Sequence, residues 1–382
     1  PAPGAPTRHA GDGPRNRADL TTETTGTGPD QRAQIFIQEP DLTISKEFSE
    51  EQVEGGATSS VEMVIEVVNG DPDRNNSFNR NISPAFGVTF RDDNLSKDFF
   101  SAVNSVTLSA PDHAALQARI DAGEVTVAVI DNVAENRFEI VVTSDDDFYI
   151  DREETLVLTA DLQVNPDLPS GSELLNVAEI PEGGYSSLPG VQAIERDYGG
   201  ETAQDTLRAI APELTKQVIS TSLFGDAETD VAVGELVTYR VDLDVPRGTL
   251  LDATLLDDFA TSADPALRDM LELISIDAVT VGASLEQLDG SALALDIGDV
   301  ALRDETGDGR DDGFTLDIGD VRNTAGDAAP DADQRISVTF TARVMNAADV
   351  RDGAVHRNEA ELEFAVSSGA PSSIAASAEV PV

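Results

Sequence analysis

Apolar and polar residues alternate one by one along most of this chain, the period of a strand that buries one face. The clearest runs are 61–68 (VEMVIEVV), 86–91, 125–130, 137–143, 155–162, 236–245 (LVTYRVDLDV), 253–258, 335–345 and 358–365, and the stretches between them are rich in Asp, Gly, Asn and Pro. Helical spacing is confined to 112–121 and 264–274, the second with Asp264 placed as an N-cap and Pro265 at the first helical position. Many short strands joined by tight turns predict an all-β chain, built as tandem immunoglobulin-like β-sandwich domains with a few short helical insertions.

The pattern also repeats at long range, which sets the domain organisation. P-D-L-T-I-S-K (40–46) and P-E-L-T-K (212–216) each lead through a Gly turn into an alternating strand. G-S-E-L-L-N-V-A-E-I (171–180) and G-A-V-H-R-N-E-A-E-L (353–362) share the core N-x-A-[ED]-[IL], and Asn16-Arg17-Ala18-Asp19-Leu20 carries it a third time. Residues 40–211 and 212–382 therefore read as two sandwich repeats, and residues 1–39 as the last strands of a preceding one.

Composition narrows the class of function. Acidic residues outnumber basic ones 72 to 25, a net charge of −47, and no basic cluster suited to phosphate is present, so neither nucleic acid nor an anionic membrane is an expected partner. No apolar run is long enough to span a membrane. The chain has no Cys and no Trp, and aromatics make up 5%, so Val, Ile, Leu and Ala must fill the cores without disulfide support. An acidic, Cys-free repeat fits an extracellular location on a bacterial cell surface.

Within this regular pattern, three polar residues per repeat fall on apolar faces. Lys46 shares a side with Leu42, Ile44 and Phe48, and Lys216 shares one with Leu214 and Val218. Asn176 aligns with Leu174, Ala178 and Ile180, and Asn358 with Ala360, Leu362 and Phe364. Asp92 ends the row Val88, Phe90, and Asp257 ends the row Ala253, Leu255, with Asp93 and Asp258 as neighbouring acids. Burial lowers the pKa of a Lys toward that of a neutral, nucleophilic amine and raises that of an Asp toward a proton-carrying acid. A Lys, an Asn and an Asp held together in a dry core are the ingredients of a spontaneous Lys–Asn isopeptide bond, with the chain as its own single-turnover substrate.

The P-[DE]-L-x-K openings, the strand-end acid and the N-x-A-[ED]-[IL] endings resemble the DUF11-type repeat of bacterial and archaeal surface proteins, a family that overlaps with isopeptide-forming fimbrial and adhesin domains. GFTLDIGDV (313–321) and RISVTFTARVMN (335–346) also resemble repeats of very large alphaproteobacterial surface proteins. The resemblance matches Lys46 and Lys216 to the family Lys, Asn176 and Asn358 to its Asn, and Asp92 and Asp257 to its acid. The second opening is shorter than the first by two residues, which leaves its register to be found. The resemblance implies a structural segment of a surface fibre, stalk or adhesin, partnered by neighbouring repeats or further copies through strand pairing. An adhesion module for a glycan or host protein is the alternative, as is a calcium-dependent surface-layer subunit.

Calcium is the one cofactor the sequence suggests. Asp304, Thr306, Asp308, Asp311 and Asp312 place oxygen ligands around a Gly turn, in the manner of a calcium loop without the closing Glu of an EF-hand (Thr315 stands there). Asp145-Asp146-Asp147 and Asp71-Pro72-Asp73 read as charged turns. His9, His113 and His356 are scattered, and no phosphate loop, nucleophile elbow or zinc-type His pair occurs, so no enzymatic activity is expected.

Overall fold

The computed structural model describes residues 17–18, 33–34, 38–70, 82–190, 198–223, 231–259, 270–304, 306–326, 328–346, 355–367 and 369–381. Its contacts divide the chain into two compact units. One holds Ser60–Gln163 and Leu174–Leu207 with the chain up to Glu51, and the other holds Gln52–Ser59, Val164–Glu173 and Arg208–Val382.

Unit 1 has nine longer strands: β1 (Leu42–Phe48), β2 (Ser60–Asn69), β3 (Thr89–Ser96), β4 (Phe100–Ser109), β5 (Val125–Asn132), β6 (Arg137–Ser144), β7 (Thr155–Val164), β8 (Glu173–Ile180) and β9 (Glu201–Ala209). A four-stranded sheet runs β1-β2-β7-β4. The larger sheet runs β9-β8-β3-β6-β5. The helix α1 (Ala114–Asp121) joins β4 to β5 and buries Leu116. Alternation dictates these faces. Along β2 every second residue from Val61 to Asn69 is buried, and along β7 every second residue from Leu156 to Val164. Val67, Ile65 and Met63 of β2 stand opposite Leu156, Leu158 and Ala160 of β7.

Unit 2 repeats the plan with β10 (Glu213–Thr221), β11 (Leu236–Asp244), β12 (Gly248–Asp258), β13 (Leu271–Val281), β14 (Leu285–Gln287), β15 (Val300–Arg303), β16 (Gly313–Asn323), β17 (Arg335–Val344), β18 (Val355–Ala365) and β19 (Pro371–Pro381). The four-stranded sheet is β10-β11-β17-β13 and the larger one β14-β16-β12-β18-β19, with β15 also on β16. The same strand therefore fills the same place in both units: β1 and β10, β3 and β12, β8 and β18. Tyr239, Phe259, Phe314 and Phe340 are the largest side chains fully buried in unit 2.

One feature departs from the sequence reading. The helix expected over 264–274 is not formed at its C-terminal end. Residues 271–274 belong to strand β13, because Leu271 and Leu273 alternate inward opposite Val344 and Ala342 of β17. Asp264 and Pro265 lie outside the described residues. Of the expected terminal strands in 1–39, only Arg17–Ala18 pairing with Ala33–Gln34, and Glu39 bridging Ile82, fall within them.

Candidate functional site

The three polar residues of each repeat meet in the core. In unit 1 the Lys46 ammonium donates to Asp92 Oδ2 at 2.6 Å, and Asn176 Nδ2 donates to Asp92 Oδ1 at 2.8 Å. One carboxylate on β3 thus holds the amine of β1 with one oxygen and the amide of β8 with the other. Both side chains of the Lys46–Asp92 pair have zero solvent exposure. Lys46 belongs to one sheet and Asp92 to the other, so the contact crosses the sandwich.

Strand register explains the shared sequence motif. Ala178 stands directly opposite Asp92, and Ala360 directly opposite Asp257. Asn176 and Asn358 each lie two residues earlier on the same inward face, on the diagonal that long polar side chains can bridge. The N-x-A core is therefore a geometric requirement: the small Ala leaves space for the carboxylate, and the Asn reaches it from the side. The shorter opening of unit 2 keeps the same face, since a two-residue change is one full pleat period. Lys216 faces Val241 on β11 as Lys46 faces Ile65 on β2.

In unit 2 the Lys216 ammonium makes a very short contact with Asp257, and both side chains are fully enclosed. Asn358 is also fully buried, and its amide helps to hold Asp257 ionised, yet neither of its polar side-chain atoms has a hydrogen bond of ordinary geometry, nor does Asp257 Oδ1. Gly313 is required here, because a Cβ on it would lie 2.4 Å from the carbonyl oxygen of Asp257.

The walls of the site are apolar. The Lys46 ammonium lies 5.0 Å from the Phe48 ring centre and against the Met63 sulfur. Lys216 lies 5.6 Å from the Tyr239 ring and 5.3 Å from that of Phe340. Burial outweighs the attraction of Asp92 and holds the Lys46 amine below its ordinary pKa. Desolvation likewise lowers Lys216 from 10.5 to about 8 and raises Asp257 from 3.8 to about 6. The two shifts bring the amine and the acid closer together in proton affinity, so moving the proton from Lys216 to Asp257 costs less than it would in water.

These shifts carry a pH signature. Between about pH 4 and 6 the folded Asp257 binds a proton that the unfolded chain has released, so stability falls as pH rises. Between about pH 8 and 10.5 the unfolded Lys216 keeps a proton that the folded one has lost, so stability rises with pH. In an Asn358→Ala variant, where no bond can form, urea unfolding of unit 2 is expected to show this contribution at its least favourable between pH 6 and 8. A flat profile across both windows would contradict the assigned burial effect.

The structure selects among the acids the sequence left open. Asp92 is buried at the centre, while Asp93 lies at the surface beside Arg91. It also adds Asn94, which sequence reasoning missed. Its Oδ1 accepts from Asn176 Nδ2 and from the backbone N–H of Val177 at 3.0 Å, and its Nδ2 donates to the Leu175 carbonyl at 3.0 Å. Asn94 pins the backbone on both sides of Asn176. The available signal was its place two residues beyond Asp92; in unit 2 Phe259 stands there.

In the acidic loop the carboxylates bond the backbone of the turn itself. Asp304 Oδ1 accepts from the backbone N–H groups of Gly307 and Asp308 at 2.7 and 3.1 Å, and its Oδ2 from Gly309 at 2.9 Å. The buried Asp312 accepts from Thr306 N at 3.0 Å, and Asp308 accepts from Arg310 N at 2.9 Å. These carboxylates satisfy the turn's own N–H groups. Among the described residues no group of three or more Asp, Glu or His side chains is placed to hold a metal ion.

No protein-family model matches the sequence, and neither does any curated protein. Among solved structures the chain is similar to the C-terminal domain of the Streptococcus agalactiae AgI/II polypeptide BspA, at 11% identity and a TM-score of 0.34, over 89% of this chain and 100% of that one. It is also similar to the full-length major pilin SpaD of Corynebacterium diphtheriae (13% identity, TM-score 0.31, 91% and 67% covered). The major pilin subunit BcpA of Bacillus cereus is a third (9%, 0.28, 89% and 69%). At these TM-scores the likeness carries no argument, and the reading of the site rests on its own geometry. Among the described residues no helix is long and apolar enough to cross a membrane.

Proposed function

We propose that this chain is a load-bearing structural segment of an extracellular bacterial surface fibre or stalk, whose two sandwiches are locked internally by Lys46–Asn176 and Lys216–Asn358 amide bonds. The observation that carries the reading is Asp92, which holds the Lys46 amine on one oxygen and the Asn176 amide nitrogen on the other inside a sealed core.

The chemistry balances without a cofactor. Asp92 takes a proton from Lys46, leaving a neutral amine. The amine attacks Cγ of Asn176, forming the C–N bond. Asp92 returns the proton to Nδ2, to which it is already hydrogen-bonded, the C–Nδ2 bond breaks with release of ammonia, and the second proton of the attacking nitrogen passes to the Asp92 carboxylate to leave a neutral amide. No electron is transferred, and each site turns over once. The buried, unpartnered carbonyl oxygen of Asn176 is the atom on which charge develops. Met63 and Phe48 in unit 1, and Tyr239 and Phe340 in unit 2, keep the amine poorly solvated and reactive.

A bond between the first and the penultimate long strand of a unit carries pulling force past everything between them. Stretching single molecules from their ends tests this role. The roughly 450 Å of chain between Lys46 and Asn176 is expected never to be released in the native protein, and to appear as an unfolding step in Lys46→Ala. Release of that length by the native protein would remove the load-bearing reading.

A further inference from the structure

Beside the reacting pair of unit 1, strand β3 carries one residue more than its neighbour β6. Ile140 of β6 stands opposite Asp92, while Phe138, two residues earlier on β6, stands opposite Leu95, three residues later on β3. Asp93 and Asn94 therefore share the place opposite the single residue Glu139, which makes a β-bulge. The matching stretch of unit 2 has none. Asp257 and Asp258 stand opposite Phe314 and Gly313, and Phe259 follows directly, its N–H on the Asp312 carbonyl. In space the buried Phe259 thus corresponds to the buried Leu95, and Asn94 is the residue that unit 2 lacks.

The bulge aims the Asn94 side chain at β8, where it stands in for a ladder partner. Asp92 and Arg91 pair with Ala178 and Glu179 of β8. Beyond them the Asn94 amide donates to the Leu175 carbonyl and accepts from the Val177 N–H, both at 3.0 Å. A carbonyl takes only a donor and an N–H only an acceptor, so these two contacts fix which end of the Asn94 amide is oxygen. That oxygen also accepts from Asn176 Nδ2. Both hydrogens of Nδ2 are thereby engaged, one by Asp92 Oδ1 and one by Asn94 Oδ1. The backbone N–H of Asn94 also donates to that Asp92 oxygen, at 3.4 Å.

We infer that Asn94 is a positioning residue for the Lys46–Asn176 bond: it holds the Asn176 amide with its nitrogen, the leaving group, toward the acid. The inference rests on the proposed amide bond and adds what sets its rate. An Asn176 amide rotated by half a turn would present its oxygen to Asp92, and ammonia cannot leave from that arrangement. Ionised, Asp92 accepts only, and so selects the nitrogen by itself. Once it carries the proton of Lys46 it can donate to an oxygen as readily as accept from an N–H, and the selection is lost. Asn94 does not titrate, so its oxygen still holds Nδ2 at the step in which the C–N bond breaks. Asn358 of unit 2 has no such partner, and neither of its polar side-chain atoms makes a hydrogen bond of ordinary geometry.

The test is a refolding time course. Full chain recovered as inclusion bodies and dissolved in urea has assembled neither core, and its intact mass should be that of the sequence. Dilution then starts both reactions together. Samples quenched in acid and digested give the yield of each linked peptide with time, and far-UV circular dichroism gives the rate of folding. Asn94→Ala is expected to slow the Lys46–Asn176 link by about tenfold or more, the effect of roughly one hydrogen bond on a barrier. The Lys216–Asn358 link of the same molecules should keep its native rate and serves as an internal clock. Asn94→Asp keeps the acceptor for Nδ2 and for the Val177 N–H but cannot donate to Leu175, and should link at close to the native rate. A native rate in Asn94→Ala, with both bonds formed, would overturn the inference and leave the bond itself standing. Equal slowing in Asn94→Asp would also overturn it, by tracing the effect to the Leu175 contact. So would failure of unit 1 to fold in Asn94→Ala, which would make Asn94 a structural residue. Absence of both links from the native chain would instead refute the amide bond on which the inference rests.

Discussion

Replacing Asn176 by Ala is expected to lower the unfolding temperature of unit 1 by about 10–20 °C. A bond between residues 46 and 176 closes a loop of about 130 residues, and the chain-entropy relation for a cross-link of that size gives roughly 5 kcal/mol through restriction of the unfolded state. For a unit of this length each kcal/mol moves the midpoint by about 2–4 °C. Asn358→Ala should act on unit 2 in the same way, since residues 216 and 358 enclose a similar loop. Calorimetry reads the two units as separate transitions if they unfold independently, and each variant should shift one transition. A control distinguishes the cross-link from lost packing: Asn176→Leu keeps the branched shape and fills the site but has no amide to react, and it too should lose most of the stabilisation. Retention of the native midpoint by both variants would mean that the Asn contributes no bond.

The second large effect falls on the acid. In Asp92→Ala and Asp257→Ala both reacting groups remain, but nothing is left to accept the amine's proton and deliver it to the leaving nitrogen, so the amide should not form. A buried Lys without its counter-ion costs a further 3–5 kcal/mol or so, because breaking a buried pair leaves an uncompensated charge. The isosteric Asp257→Asn separates these effects. It fills the same space and can still hydrogen-bond, so it should destabilise less than Ala while blocking the bond as completely. Efficient bond formation in Asp257→Asn would show that the acid only positions the partners.

Much of this site was legible in the sequence because strands have a period of two. Lys46, Asn176 and Asp92 could each be placed on an inward face from alternation alone, and burial of all three follows from the same rule. What alternation does not show is which inward residues meet. That depends on register between strands far apart in sequence, such as Asp92 opposite Ala178. Asn94 escaped notice for this reason: its role lies in contacts with Leu175, Asn176 and Val177, more than eighty residues away, and the sequence around it (RDDNLS) reads as a polar turn. The stretch 264–274 misled in a different way. DPALRDMLELI has a good helical start, but the inward pull of Leu271 and Leu273 against β17 fixed its end as strand, an instance of tertiary packing overriding local propensity. In the loop 304–312 the acidic residues at calcium-like spacing cap a turn, a use that composition alone does not tell apart from cation binding because backbone N–H groups and cations draw on the same carboxylate oxygens.

The intact mass of the purified chain tests the central claim most directly. Two Lys–Asn bonds predict a mass below that of the sequence by about 17 Da for each ammonia lost, with one loss abolished in Lys46→Ala, the other in Lys216→Ala, and both in the double variant. A native mass equal to that of the sequence would contradict the account, leaving Lys46–Asp92 and Lys216–Asp257 as buried ion pairs with no covalent product.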